Sequence, residues 1–331
     1  MKNNIKFLAL LIALSFCNSI SFIQASRKTR KIGAFFTGGL IGVISNSLGH
    51  SSKTNDAKID NNTKNIYVNK SINDASPTGV RFSDIAGMNN VIEEVKTVVD
   101  FAKNPAKYKA LGAKFPKGIL LQGPPGNGKT LLARALATEA GLNFFYESAS
   151  AFVELYVGVG AKRVREFFDK ARNNKPAIIF IDEIDAIGAA SRGSGGNEEY
   201  RQTLNQLLCE LDGFSQDDSI IFIAATNNAQ ALDPALKRPG RFTKIIEIPM
   251  PDEKARRDIL DFYIKKLPSV EISETIFLEL VLNTDGFSAA DLENLVNESA
   301  LNAVRLGSVK VLDEHFAFGF SKAVEHTNKN N

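Results

Sequence analysis

Between Gly118 and Thr130 the chain reads Gly-Ile-Leu-Leu-Gln and then Gly-Pro-Pro-Gly-Asn-Gly-Lys-Thr. Glycines at 123, 126 and 128 let backbone N–H groups turn inward around phosphate oxygens, and a helix starting at their end adds the positive pole of its dipole. Residues Gly123, Pro124, Pro125, Gly126, Asn127, Gly128, Lys129, Thr130 and Leu131 therefore form a predicted phosphate cradle. Lys129 is placed to reach β- and γ-phosphates and the Thr130 hydroxyl to bind Mg²⁺. An apolar strand before and the helical run Leu-Leu-Ala-Arg-Ala-Leu-Ala-Thr-Glu-Ala after supply the strand–loop–helix context that separates a P-loop from a Gly/Pro turn with an incidental lysine.

Three further clusters could serve a bound nucleotide. The run Ala-Ile-Ile-Phe-Ile-Asp-Glu-Ile-Asp ending at Asp185 is apolar until its last residues, as a central strand must be if its acids are to sit at the ligand-bearing C-terminal edge of a parallel sheet. Asp182 would hold Mg²⁺ with Thr130, and Glu183 would polarise an attacking water. Asn227 ends another apolar run and suits the orienting of water or a γ-phosphate oxygen; alone, it also reads as a turn-starting Asn. Arg238 and Arg241 lie in a loop stiffened by Pro239 and Gly240, able to hold a guanidinium near a neighbour's γ-phosphate, or equally to carry solvated surface arginines.

Positioning these groups requires strands alternating with helices, the pattern of an α/β domain with a mainly parallel sheet. Strands are expected at Gly118–Gln122, Asn143–Ser148, Ala177–Asp182, Ser219–Thr226 and Lys244–Ile248, with helices over 129–140, 162–172 and 198–211. Beyond them, helices over roughly 252–266 and 289–305 form a second, helical unit. The expected organisation is a hydrophobic region at 1–49, a polar linker at 50–79, the α/β nucleotide-binding domain at 80–250 and a helical lid at 251–331.

The 331 residues include 40 Lys+Arg, 37 Asp+Glu, two Cys and three His. His50, His315 and His326 cannot make an HExxH zinc helix, and two Cys cannot make a disulfide framework or a four-Cys metal site. Ten Lys/Arg against three Asp in residues 1–79 give +7, so residues 80–331 carry 3 − 7 = −4. A nucleic-acid binder concentrates positive charge on its folded domain, so no nucleic-acid partner is expected.

The basic excess instead flanks apolar sequence, as in membrane or targeting segments. Phe7–Ile23 follows Lys2 and Lys6 and precedes Arg27, Lys28, Arg30 and Lys31; Ile32–Gly49 is uncharged, with Ala34, Gly38 and Gly42 at small-xxx-small spacing. Both are short for a hydrocarbon core of ~30 Å. A single span with its basic cluster inside satisfies the positive-inside rule, whereas a two-span hairpin places that cluster outside. A cleaved signal or transit peptide and a Gly-rich tether stay open. A protein that uses a nucleoside triphosphate needs an ATP-containing compartment, cytoplasm or organelle interior, so a membrane-associated protein is expected rather than an exported one.

Taken together, Arg81–Val95, the P-loop, Ile181–Gly188, the stretch from Ala224 to Phe242 and Gly286–Leu301 resemble the AAA family of P-loop ATPases, and most specifically the ATPase module of the FtsH-type membrane-anchored proteases, over about residues 80–325. The resemblance implies ATP and Mg²⁺ as ligands, a large α/β domain with a small all-α lid, and a homo-oligomeric, usually hexameric, ring or a mixed ring with an FtsH-type protease. It implies roles for Lys129, Thr130, Asp182 and Glu183 as above, for Asn227 as a sensor and for Arg238 and Arg241 as fingers acting in the adjacent subunit. It implies that Asp84, Ile85, Ala86 and Gly87 with the turn through Ala289 border the adenine. Tyr156, Val157 and Gly158, after Leu155, match a pore loop gripping unfolded protein, and Gly193–Asn197 a second one; Phe152, Leu155 and Tyr156 also fit as core residues near a loop.

Departures from the family pattern mark what is specific here. The zinc-protease motif is missing, so the expected activity is unfolding or remodelling of proteins near a membrane without peptide cleavage. Asn127 stands where threonine is usual, at a position expected to act through its backbone. Asn228-Ala229, Thr243-Lys244 and Gly188–Ser191 depart where subunit coupling is involved. The alternative reading is a nucleotide-binding scaffold or regulatory subunit of a membrane AAA protease with little turnover.

Overall fold

The computed structural model describes residues 79–113, 116, 118–153, 158–188, 198–213 and 219–330. The N-terminal hydrophobic region and polar linker lie outside them, as do Leu155, Tyr156, Val157 and Gly193–Asn197. Among the described residues no helix is long and apolar enough to cross a membrane.

Five strands form one sheet, β1 (Gly118–Gln122), β2 (Asn143–Ser148), β3 (Ala177–Asp182), β4 (Ile220–Thr226) and β5 (Phe242–Glu247), in the order β2-β3-β4-β1-β5. Every pairing is parallel. Parallel strands need crossover connections, and burial on both faces follows from the helices those crossovers carry. In β3 the faces alternate: Ile178 and Phe180 join the cluster containing Leu132, Leu136 and Phe144, while Ile179 and Ile181 join the one containing Phe167, Phe168 and Phe222. That is why a run with no polar interruption reads as a central strand.

One face is covered by α1 (Asn89–Lys103) and by α3 (Lys129–Ala140), α2 being the short Pro105–Ala110 turn. The other is covered by α4 (Val159–Asn173), α5 (Asp185–Gly188) and α6 (Glu198–Gly213). The third apolar core belongs to the remaining helices, α7 (Glu253–Lys265), α8 (Glu274–Asn283), α9 (Ala289–Arg305) and α10 (Asp313–Asn330). Each of α7, α8 and α9 begins at a side-chain cap: Asp252 accepts from Ala255 N at 2.7 Å, Ser273 from Ile276 N at 3.3 Å, and Ser288 forms a reciprocal box with Asp291.

Strand β5 starts two residues earlier than the sequence suggests, because Phe242 pairs with Gly118 before an irregularity that brings Lys244, not Thr243, opposite Ile119. Its alternating exposure fits an edge strand. The close approach explains Gly118: a Cβ there would lie 2.4 Å from the Arg241 carbonyl.

Candidate functional site

Strand β4 separates β1 from β3, so the P-loop after β1, Asn227 after β4 and the acids ending β3 emerge on three adjacent strands at one edge of the sheet. With strands ~4.8 Å apart, groups on β1 and β3 are about 10 Å from each other before their side chains converge. A cavity of about 760 Å³ opens there. Of the residues picked from the sequence, Pro125, Gly126, Gly128, Lys129, Thr130 and Leu131 line it from the loop and α3, Asp182, Glu183 and Asn227 from the strand ends, and Asp84, Ile85, Ala86 and Ala289 from above.

The loop reaches its shape through glycine. Gly126 and Gly128 both sit at φ 76°, where a side chain is strained. A Cβ on Gly123 would fall 2.1 Å from the Ile248 carbonyl oxygen. Lys129 opens α3 with its ammonium turned back into the loop, donating to the Gly123 and Pro124 carbonyls at 2.8 Å each. Burial pushes its pKa below the ordinary lysine value, opposed by the carboxylates of Asp182 and Asp185.

One residue further on, Thr130 Oγ1 donates to Asp182 Oδ2 at 2.5 Å. Two hard oxygens from different elements thus meet at one point, a donor set that suits Mg²⁺, which takes one or two protein oxygens and completes its shell with phosphate and water. Among the described residues no group of three or more His, Cys, Asp or Glu could hold a metal ion.

Glu183 is the only non-glycine described residue with positive φ, at 52°. Its N–H donates to Asp182 Oδ1 at 2.9 Å, so one carboxylate is tied both to Thr130 and to the strained turn. This conformation costs roughly 1–2 kcal/mol and lifts the exposed Glu183 side chain out of the strand line toward the cavity. Asn227 is exposed at its rim; the turn carrying it is set by Thr226, whose hydroxyl donates to Asp185 at 2.8 Å and accepts from Asn228 N at 3.0 Å.

The remaining predicted residues are placed apart from that cluster. Gly87, at φ 74°, packs under α7, a Cβ there lying 2.8 Å from Ile259. Arg238 is exposed, whereas Arg241 is held within its own chain by two bonds to Asp212 and one to the Ala235 carbonyl. Gly158 caps α4, its N–H donating to Glu199 Oε2 at 2.9 Å; Phe152 is buried in the core.

Asn127 differs from the sequence expectation. Its side chain is buried and bonded, not idle: Oδ1 accepts from Ala289 N at 3.2 Å, and Nδ2 donates to Pro249 O at 3.3 Å and Met250 Sδ at 3.2 Å. Spacing alone carries no signal for this, nor for Tyr263, which lines the cavity from α7 with its hydroxyl donating to Glu293 at 3.1 Å. Burial, reinforced by Glu293, pushes Tyr263 up to about 12.

Comparison with known proteins agrees with this architecture. Residues 119–250 match the model of the ATPase family associated with various cellular activities (AAA), and residues 277–317 that of the AAA+ lid domain. The chain is 56% identical over 232 residues to the ATP-dependent zinc metalloprotease FtsH of Mycoplasmopsis pulmonis, covering 69% of this chain and 31% of the relative. It is 50% identical over 250 residues to the mitochondrial inner membrane i-AAA protease supercomplex subunit YME1 of Saccharomyces cerevisiae, covering 75% and 33%. The FtsH of Caulobacter vibrioides is 54% identical over 229 residues, 68% of this chain and 36% of the relative. The chain thus spans about a third of the length of these relatives, the third that holds a P-loop sheet and its helical lid, and it belongs to the AAA ATPase family.

Proposed function

We propose that these residues form a Mg²⁺-dependent ATPase that uses hydrolysis to unfold, translocate or remodel proteins near a membrane, and that the 331 residues contribute no peptide-cleaving chemistry of their own. The bond between Thr130 and Asp182 carries the reading: it joins the start of α3 to the end of β3 at the floor of the cavity that Lys129 and Glu183 also line. Lys129 supplies a fixed positive charge to phosphate oxygens, and Thr130 and Asp182 hold the cation, which supplies charge neutralisation when bound. Glu183 then orients and deprotonates a water, the step a general base contributes.

The protein-remodelling part rests on relatives named as proteases and on the resemblance of Leu155–Gly158 to a substrate-gripping loop. Ring assembly, with Arg238 and Arg241 serving the adjacent subunit, and membrane attachment through residues 1–49 belong to the same proposal. The test is steady-state hydrolysis of Mg-ATP by the full chain against a Glu183→Gln control, with and without an unfolded protein such as casein. Turnover no higher than the control would end the ATPase reading; turnover indifferent to unfolded protein would end the remodelling part.

A further inference from the structure

A helix leaves its first N–H groups without intrahelical partners, and they must be satisfied from outside. In α9 these donors are taken up by the P-loop: Ala289 N donates to Asn127 Oδ1 at 3.2 Å and Ala290 N to the Gly126 carbonyl at 3.0 Å. The third, Asp291 N, is satisfied by Ser288 Oγ at 3.2 Å. The fit is close as well as polar, since a Cβ on Gly126 would sit 2.8 Å from Ser288 Oγ.

The other end of the Asn127 amide faces the segment that joins β5 to α7. Ile248 N ends the sheet pairing on the Gln122 carbonyl at 2.8 Å, and Asp252 caps α7 four residues later, with prolines at 249 and 251 between. Asn127 Nδ2 donates into that stiff connector, at Pro249 and Met250. Arg256 fastens the same connector to the helical unit, donating to the Pro251 and Val281 carbonyls. One buried amide therefore touches the phosphate-binding loop, the connector and the first turn of α9.

We infer that Asn127 is a positioning residue through which the conformation of the P-loop sets the orientation of the lid. Threonine offers one hydroxyl oxygen for both contacts, whereas the carboxamide uses two separate atoms, Oδ1 as acceptor for the Ala289 amide and Nδ2 as donor to the Pro249 carbonyl. Because Lys129 bonds the Gly123 and Pro124 carbonyls, a phosphate that draws its ammonium away moves the same loop that carries Asn127. The regulatory half of the inference rests on the ATPase reading; the contact itself does not.

Residue-resolved amide exchange on the full chain separates the two. In Asn127→Ala, the Ala289 amide is expected to exchange about fivefold faster or more, the effect of one lost hydrogen bond, while Ala290, bonded to backbone, changes less than twofold. Asn127→Asp keeps the acceptor and loses the donor, so it should restore Ala289 protection but not the effect of Mg-ADP on lid amides. Unchanged protection of Ala289 in Asn127→Ala, or Asn127→Asp behaving like it at Ala289, overturns the contact. A lid response to Mg-ADP in Asn127→Ala as large as in the parent chain overturns the coupling. If the parent binds no Mg-ADP, the ATPase reading and the coupling fall together, and the Ala289 comparison still decides the contact. Should Asn127→Ala not fold, Asn127→Asp and Asn127→Ser carry the same comparison.

Discussion

Arg241 grips Asp212 through two parallel bonds, Nε to Oδ1 and Nη2 to Oδ2, both 2.8 Å, so the last turn of α6 and the loop before β5 are joined inside one chain. The pair holds Asp212 below the usual carboxylate range, through its hydrogen bonds with Arg241. Three residues earlier Arg238 is exposed, so the structure distinguishes two arginines that the sequence presents as equivalent. Arg238→Ala is expected to cut hydrolysis by ~10³-fold and to be complemented by mixing with Glu183→Gln chains, since each supplies what the other's site lacks. Arg241→Ala should in addition destabilise the chain by no more than about 1 kcal/mol, because Asp212 is solvated. Mixing that restores no turnover would count against a shared site.

Removing the P-loop charge and removing the base should have different signatures. Lys129→Ala is expected to weaken Mg-ATP binding by ~10²-fold, since the ammonium meets phosphate in both ground and transition states. Glu183→Gln should leave binding within a few fold while lowering turnover by ~10²–10⁴. Fluorescent-nucleotide titration and phosphate release measure the two; a Glu183→Gln chain that hydrolyses at the parent rate removes it from the chemistry.

Glu199 is buried and accepts from the N–H groups of Gly158 and Gly160, at 2.9 and 3.1 Å. Glu199→Ala leaves both donors without their acceptor and should cost roughly 2–4 kcal/mol in denaturant unfolding. Glu199→Gln keeps one acceptor and should cost about half as much. Equal, negligible losses would show that water replaces the carboxylate.

A methyl group at position 160 tests the packing beneath that contact. An added Cβ would lie 2.2 Å from the Phe152 carbonyl and 2.5 Å from Thr203 Oγ1. Gly160→Ala is expected to destabilise by about 1–3 kcal/mol despite its better helix propensity, whereas Gly141→Ala, with open space around it, is strained only by its φ of 69°. Thermal melts of the two variants rank them.

Tyr263 makes the alkaline limb of stability testable. A folded-state value of about 12 against an unfolded value near 10 means that the neutral phenol is favoured by folding. Its contribution is full below pH ~10 and is lost as pH rises through 12. Phenolate absorbance should show one tyrosine of the six titrating last, and Tyr263→Phe should flatten the loss of stability in that window. A last-titrating tyrosine that persists in Tyr263→Phe would refute the assignment.

The elements that carry periodicity were legible in advance. β1, β2 and β3 fall where their apolar runs predict, and α3 and α9 match the expected bounds, because a buried parallel strand or an amphipathic helix writes its burial into residue order. The expected helices leave out α1, α2, α5, α8 and α10, although the Ser273 cap and the apolar Leu280 and Val281 fit α8. At the site, the glycines, Lys129, Thr130, Asp182 and Glu183 declare themselves through spacing along one chain segment. Asn127, Glu199, Asp212 and Tyr263 do not, since each acts on a partner between 29 and 162 residues away, as Arg241 with Asp212 and Ala289 with Asn127 do, or, for Glu199, on backbone N–H groups that any sequence supplies.

Helix α6 is anchored by a carboxylate near each end, Glu199 on the start of α4 and Asp212 on Arg241, with Glu210 joined to Arg172 on the way. Each residue of an α-helix turns the next by about 100° and advances it by 1.5 Å. Deleting or inserting a single residue between the two anchors would therefore swing Asp212 to a different side of the helix while Glu199 stayed where it is. The count of residues in this helix is as much a part of its design as their identity: it sets the phase in which its two ends meet the Gly158 amide and the Arg241 guanidinium.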